Sequence, residues 1–393
     1  MEGLGPKRDV NPAGFALWNL GFRPFYLLAS VFAALSVGLW ACEYAGYLPG
    51  AYLRSPVWHG HEMLFGYTLA VLTGFLFTAV RTWTGESTPT GRTLAGFALL
   101  WVSGRILVLS PHATAAAAVN VAFPIGVAIA IGIPLGRSGN RRNYIFVALL
   151  LLLGVAALVL HLSQLGMTGW PERMSLQVGL DLVMFIIAAM SGRIIPIFTN
   201  NGIRGAMAKC NPLVEKLALG GIVLLLMADL LQAPSIVIAS LALIVAVAHA
   251  ARLYLWQPWR TVATPLVWIL HAAYGWIVIS LALRSVAALG LIAESLAVHA
   301  LTIGAIGGMT IGMMTRTARG HTGRPLLADD FDTACFILVQ LGALVRVGGG
   351  IFFRDYYVAT VIVSGTCWSA AFALYAVRYW PVLSRVRIDG KPG

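Results

Sequence analysis

The chain has 393 residues, 59% of them hydrophobic and only 11% charged, whereas soluble globular domains carry roughly a quarter charged residues. No soluble core absorbs so much apolar sequence, and lipid removes the need for polar cover, so an ordinary soluble enzyme is excluded. The net charge of +12 does not mark a nucleic-acid binder, because the basic residues are spread thinly between apolar runs instead of forming a basic domain.

The N-terminal stretch Met1 to Asn11 is polar. It lacks the basic region, short apolar run and small-residue cleavage site of a signal peptide, so the first span is expected to act as its own insertion signal. A bilayer core needs about 20 apolar residues per helix. That ruler places spans at 25–45, 57–80, 93–110, 114–135, 143–163, 174–198, 213–231, 235–255, 264–284, 291–315, 332–350 and 356–377. The seventh and eighth share a tight turn at Gln232, Ala233 and Pro234. The expected fold is therefore all-α: a polytopic membrane protein of about twelve transmembrane helices, one integral membrane domain over 1–393. Abundant Gly and Ala permit close helix approach.

Charge asymmetry sets the orientation. With the N-terminus in the cytoplasm, all but six of the 27 basic residues fall on cytoplasmic segments, and both termini are cytoplasmic. The six are Arg54, Arg105, Arg173, Arg284, Arg346 and Arg354. One missed helix midway would destroy this bias. The four cysteines, Cys42, Cys210, Cys335 and Cys367, form no CxxC. They suggest neither a zinc ribbon nor a c-type haem attachment, and read as packing residues.

An internal echo links the second, sixth and tenth spans. The second reads His61-Glu-Met-Leu-Phe-Gly66, the tenth His299-Ala-Leu-Thr-Ile-Gly304, and the sixth ends in Gly192-Arg-Ile-Ile-Pro196. The spacing hints at three four-helix units, with chance likeness between apolar segments as the alternative.

Ionisable groups inside a membrane are costly and point to function. The second span opens with Trp58-His59-Gly60-His61-Glu62-Met63. Two histidines at i and i+2 lie about 200° apart on a helix. Either the turn is irregular, helped by Gly60, or the two serve different sites. His299 starts the tenth span at a similar depth, so His59, His61 and His299 are candidates for one outer site. His271 lies deeper, and needs a metal or a hydrogen-bond partner on a neighbouring helix. His321 sits at the cytoplasmic end, either at a second inner site or in a solvated loop. His112, His161 and His249 stand alone near helix ends and read as structural. Imidazole suits haem iron, copper and zinc, and haem needs an apolar slot and cations near its propionates. Arg23 and Arg54 are candidate propionate partners, with ordinary topology-setting arginines as the simpler reading. Glu62 is a candidate proton relay or imidazole orienter. Asp181 is a candidate for a proton path, or equally the partner of a nearby arginine.

Together Gly21-Phe-Arg-Pro-Phe25, Trp58-His-Gly-His-Glu-Met-Leu-Phe-Gly66, Gly192-Arg-Ile-Ile-Pro196, His299-Ala-Leu-Thr-Ile-Gly-Ala305 and Arg319-Gly-His-Thr-Gly-Arg324 resemble the NnrS family, over nearly the whole chain. The resemblance implies a bacterial inner-membrane protein with haem and copper, linked to nitric oxide metabolism and tolerance. It maps the family's histidine motifs onto His59, His61, His271, His299 and His321. A more distant similarity is to haem–copper oxidases and nitric oxide reductases, which also place histidines on the second and tenth of twelve helices. The sixth and seventh spans here lack the histidines that superfamily uses for copper, so an equivalent site must be rebuilt from other residues, with His271 as a candidate. The expected activity is binding of nitric oxide and its reduction to N₂O, with b-type haem, copper, and an electron donor such as quinol or a redox protein. A transporter or haem or metal exporter, and a nitric oxide sensor without turnover, are the alternatives.

Overall fold

The computed structural model describes residues 14–48 and 51–391. The polar Met1–Asn11 stretch, with Lys7 and Arg8 of the charge count, lies outside them. Twelve long helices run through the described residues: α1 Phe22–Tyr44, α2 Val57–Thr84, α3 Gly91–Val108, α4 Ala113–Arg137, α5 Tyr144–Gln164, α6 Glu172–Gly202, α7 Pro212–Leu230, α8 Ser235–Leu255, α9 Pro265–Ala288, α10 Glu294–His321, α11 Asp330–Phe352 and α12 Tyr357–Ser384. No β-strand occurs among the described residues, only an isolated bridge between Phe15 and Arg385. That bridge, with Ala16 N–H donating to Ser384 O at 2.7 Å, brings the start of α1 and the end of α12 to one end of the bundle.

Eleven of the helices are long and apolar enough to cross a membrane, and α7 is the exception. It carries Glu215, Lys216 and Asp229, but both carboxylates are paired: Glu215 with Arg252 of α8, Asp229 with Arg284 of α9. Local signals fix the helix ends. Pro24 sits in the first turn of α1, where no N–H is needed. The Asn211 side chain accepts from the N–H groups of Leu213 and Val214 at the start of α7. Gly85 closes α2 at φ 72°. Apolar faces such as Leu151, Leu152 and Val155 on α5 and Leu243, Ile244 and Val247 on α8 are exposed, as lipid contact demands.

Each helix packs mainly on its chain neighbours, and α12 closes on α1. Two helices are the most enclosed, followed by α6 and α9 at 61%. The most apolar stretch of α2 is 78% buried and that of α10 is 72%, against 33% for α3 and α12. These two helices share another feature. Each widens into a π-helix directly after a histidine, at Glu62–Thr68 after His61 and at Ala300–Gly307 after His299. π segments inside α-helices concentrate at functional sites.

The sequence echo between these helices extends to their packing. Gly66 and Gly304 stand equally far beyond His61 and His299, as do Gly74 and Gly312. Gly66 faces Phe32, and Gly74 faces Phe25 and Tyr26, all on α1. Gly304 faces Trp276, and Gly312 faces Ile269 and Leu270, all on α9. The facing residues have identical spacing in the two helices. A Cβ at Gly74 would lie 3.0 Å from Phe25, and one at Gly312 2.9 Å from Ile269, so both helix pairs are drawn together by the same missing side chains. The glycines of α6 behave differently: Gly179 meets Leu64 and Phe65 of α2, and Gly202 meets Val267 of α9. The α1–α2 and α9–α10 pairs are thus two copies of one arrangement.

Candidate metal centre

His59 and His61 lie on the first turns of α2, at the end of the bundle away from the chain termini. The structure adopts the second of the two alternatives for a histidine pair at i and i+2: the rings serve different places. His59 stands opposite His299 of α10, with ring centroids 6.5 Å apart and planes only 18° from parallel. His61 stands against His161 at the end of α5, with centroids 5.0 Å apart and planes at 67°. The expected single outer site of His59, His61 and His299 is therefore split in two. Among the described residues no group of three or more His, Cys, Asp or Glu side chains is disposed to hold one metal.

The other ring nitrogens are mostly held. His299 Nδ1 lies 2.6 Å from Ser295 O, which makes it the N–H donor and leaves Nε2 as a lone-pair donor. His61 Nδ1 lies 2.7 Å from Glu62 Oε1, and His161 Nδ1 lies 3.4 Å from the Tyr52 hydroxyl. What remains is unusual. His59 Nδ1, His61 Nε2 and His161 Nε2 are buried and have no hydrogen-bond partner among the described residues. An unsatisfied buried polar atom costs about 1–3 kcal/mol. An imidazole with one nitrogen clamped by a carboxylate or carbonyl and the other free is how proteins present a metal ligand.

Ring spacing tests the fit. Metal–imidazole bonds are about 2.0–2.1 Å long, which puts an ion roughly 3 Å from each ring centroid. Two rings on opposite sides of one ion then stand roughly 6 Å apart, and two at a tetrahedral angle about 5 Å apart. The centroid separation of the His59–His299 pair is close to the first arrangement. The inclined His61–His161 pair matches the second.

The surroundings differ as well. Trp40 packs on His59 at 5.0 Å, and buried Arg346 of α11 is in electrostatic reach of both His59 and His299. Arg346 Nη2 donates to the Tyr357 hydroxyl at 2.9 Å, while its Nη1 has no partner. Beside the second pair, fully buried Glu62 makes an ion pair with Arg105 of α3 at 2.9 Å, off the line of a good hydrogen bond. Arg105 also donates to Phe65 O at 3.1 Å and to Asn120 Oδ1, and Trp101 Nε1 donates to Gly66 O at 3.0 Å. Phe65 and Gly66 lie within the π segment of α2, where carbonyls leave the α-helical pattern, so side chains from α3 help to complete it.

The remaining candidates lie elsewhere. His271 has polar neighbours at both nitrogens, Nδ1 near Val267 O at 3.1 Å and Nε2 near Thr199 Oγ1 and Trp256 O, both at 3.3 Å, and it joins neither pair. His321 ends α10 at the terminal end of the bundle, 5.6 Å from the Phe22 ring, far from His299. Arg23 is at that same end, donating to Leu383 O at 2.9 Å and Arg385 O at 2.7 Å. The length of α1, about 30 Å at 1.5 Å per residue, separates it from His59. That removes Arg23 as propionate partner of a group held by His59. Arg54 is exposed on the loop before α2, at the correct end. Asp181 lies against Arg284 at 2.6 Å and against Gln177 at 3.1 Å: it is the arginine partner of the two expectations. His249 bonds the Tyr274 hydroxyl at 2.6 Å.

Sequence reasoning misses Arg346 and takes His161 for a lone structural histidine. A depth argument applied to every histidine would have found it, because α5 ends where α2 and α10 begin.

The model of the NnrS family, described as NnrS protein, matches residues 16–387. A comparison with curated proteins found no match.

Proposed function

The chain belongs to the NnrS family, which is linked to nitric oxide metabolism, and we propose that it binds haem and copper in the bacterial inner membrane and reduces nitric oxide to N₂O there. The observation that carries the haem part of this reading is the pair of His59 and His299, 6.5 Å apart and drawn from the two most enclosed helices. When bound, haem supplies an iron that cycles between two oxidation states and passes single electrons.

The chain's own residues supply the rest. His59 and His299 would hold the iron, His299 through the Nε2 that its Ser295 contact leaves free. Ser295 O orients the His299 ring, Trp40 shields that of His59, and Arg346 offers an unpaired guanidinium nitrogen to a propionate. Glu62 Oε1 sits where it can hand a proton to, or take one from, His61 Nδ1. The balanced reaction, two NO with two electrons and two protons giving N₂O and water, needs a donor such as quinol or a redox protein. Nitric oxide is small and apolar and reaches a buried site through lipid. The distribution of basic residues supports a cytoplasmic position for both termini.

A pyridine haemochrome spectrum of the purified protein, with elemental analysis, tests this reading. Stoichiometric haem in the wild type, lost in both His59→Ala and His299→Ala, is the expected result. Absence of haem from well-folded protein sinks the reading. A nitric oxide electrode with reduced quinol then separates turnover from binding.

A further inference from the structure

We propose that His61 and His161 form a second metal site, separate from the His59–His299 pair, which takes a single low-coordinate Cu(I) ion and leaves it open to an exogenous ligand. This rests on the reading above only in its choice of copper.

Four observations point to a built site. Both imidazoles are fully buried. Both have Nε2 without a partner. Each Nδ1 faces a polar group, Glu62 Oε1 at 2.7 Å and the Tyr52 hydroxyl at 3.4 Å. The rings are 5.0 Å apart and inclined at 67°, the separation of two ligands meeting one ion at a tetrahedral angle. A packing pair of histidines would be expected to turn its free nitrogens to a carbonyl, a hydroxyl or each other's N–H, since buried polar atoms are nearly always satisfied.

Donor set and charge select the ion. Among the described residues no third His, Cys, Asp or Glu joins these two imidazoles in a metal-binding group, and two are too few for zinc, which takes three or four protein ligands. Cu(I) accepts two or three ligands, and imidazole suits copper. Glu62 and Arg105 already neutralise one another beside the pair. A monovalent ion then adds one uncompensated charge to a water-poor interior and a divalent ion adds two, which is far costlier. With two positions filled by protein, the ion keeps room for a small diatomic ligand.

The test is an anaerobic titration of the purified wild type with Cu(I) alone, in competition with a coloured chelator, followed by carbon monoxide as infrared probe. One tightly held equivalent and one Cu(I)–CO band are expected, both lost in His61→Ala and in His161→Ala while haem absorbance is retained. Copper and CO band unchanged in His161→Ala overturn the proposal. A variant that loses haem and copper together is set aside as misfolded, and X-ray absorption on copper-loaded wild type decides instead: two imidazole shells support the site, while thiolate or a single imidazole overturns it. Haem retained with no copper bound refutes this site and leaves the haem reading intact. Copper bound without haem does the reverse.

Discussion

Tyr67 of α2 and Thr310 of α10 meet hydroxyl to hydroxyl at 2.5 Å. Thr310 Oγ1 also lies 2.7 Å from Ile306 O, so its own proton goes to that carbonyl and Tyr67 is the donor. The contact lies at the ends of the two π segments and ties the two helices in the register that sets His59 opposite His299. A buried hydrogen bond of this kind contributes about 0.5–1.5 kcal/mol. Tyr67→Phe is expected to cost about 1 kcal/mol in thermal or denaturant unfolding and to loosen haem, seen as faster loss to a haem acceptor. Unchanged melting and unchanged haem transfer would show that the register is held elsewhere.

Glu62 and Arg105 form a fully buried ion pair. Removing one partner of such a pair typically costs 3–5 kcal/mol, about what stranding a buried charge implies, whereas replacing both by apolar groups is often neutral. Glu62→Gln and Arg105→Met are each expected to lower stability by about this amount, and the double variant by less than either single one. Strict additivity in the double-mutant cycle would mean that the two groups do not interact. Nitric oxide turnover should be lost in Glu62→Gln even under conditions where the protein remains folded.

The spans were legible because hydropathy needs no partner. The stretch expected at 57–80 is the helix Val57–Thr84, and that expected at 174–198 is Glu172–Gly202. Helices extend past the apolar stretch wherever polar residues can still join the turn, as in the tail of α10 to His321. The site was legible only in part. That His59 and His61 diverge follows from 100° per residue, and the partner of His59 follows from depth. The π segments, which rotate everything after His61 and His299, leave no mark in hydropathy. Nor does the sequence show the polar neighbours of His271, because one of them, Trp256 O, comes from the end of α8.

Arg284 of α9 bridges Asp181 of α6 and Asp229 of α7. It joins three helices with two carboxylates around one guanidinium, in a bidentate contact with Asp181 at 2.6 and 3.2 Å. This network explains how α7 carries a carboxylate at the end of its apolar run. Arg284→Met leaves two uncompensated acids and is expected to cost about 3–5 kcal/mol or more. Asp181→Asn, which keeps Arg284 paired with Asp229, should be milder and should leave nitric oxide turnover within about twofold, since a tenfold change corresponds to about 1.4 kcal/mol in the barrier. Turnover abolished in stable Asp181→Asn would restore this residue to a proton path.

The start of α11 gives a pH dependence of defined sign. Asp329 caps the helix: its side chain accepts the Asp332 N–H at 3.0 Å, and the Asp332 carboxylate accepts the Asp329 N–H at 3.1 Å. Its other oxygen lies 2.7 Å from Arg319 and 2.9 Å from Arg378. Burial alone raises this carboxyl, but the Asp332 amide and the Arg378 and Arg319 guanidinium groups outweigh it and hold it below the ordinary carboxylate range. The folded form therefore binds this proton less readily than the unfolded form. The resulting stability is complete above the unfolded value of about 3.9, and falls away as pH drops through the folded value. Melting in detergent should be insensitive to this group near neutrality and fall on the acid side of about pH 4. Asp329→Asn keeps an acceptor for the cap while removing the charge, so it should flatten that acid limb and weaken the salt dependence near neutral pH. Asp329→Ala should lose about 1 kcal/mol more, because the cap itself is gone. An acid limb unchanged in Asp329→Asn would assign it to other carboxylates.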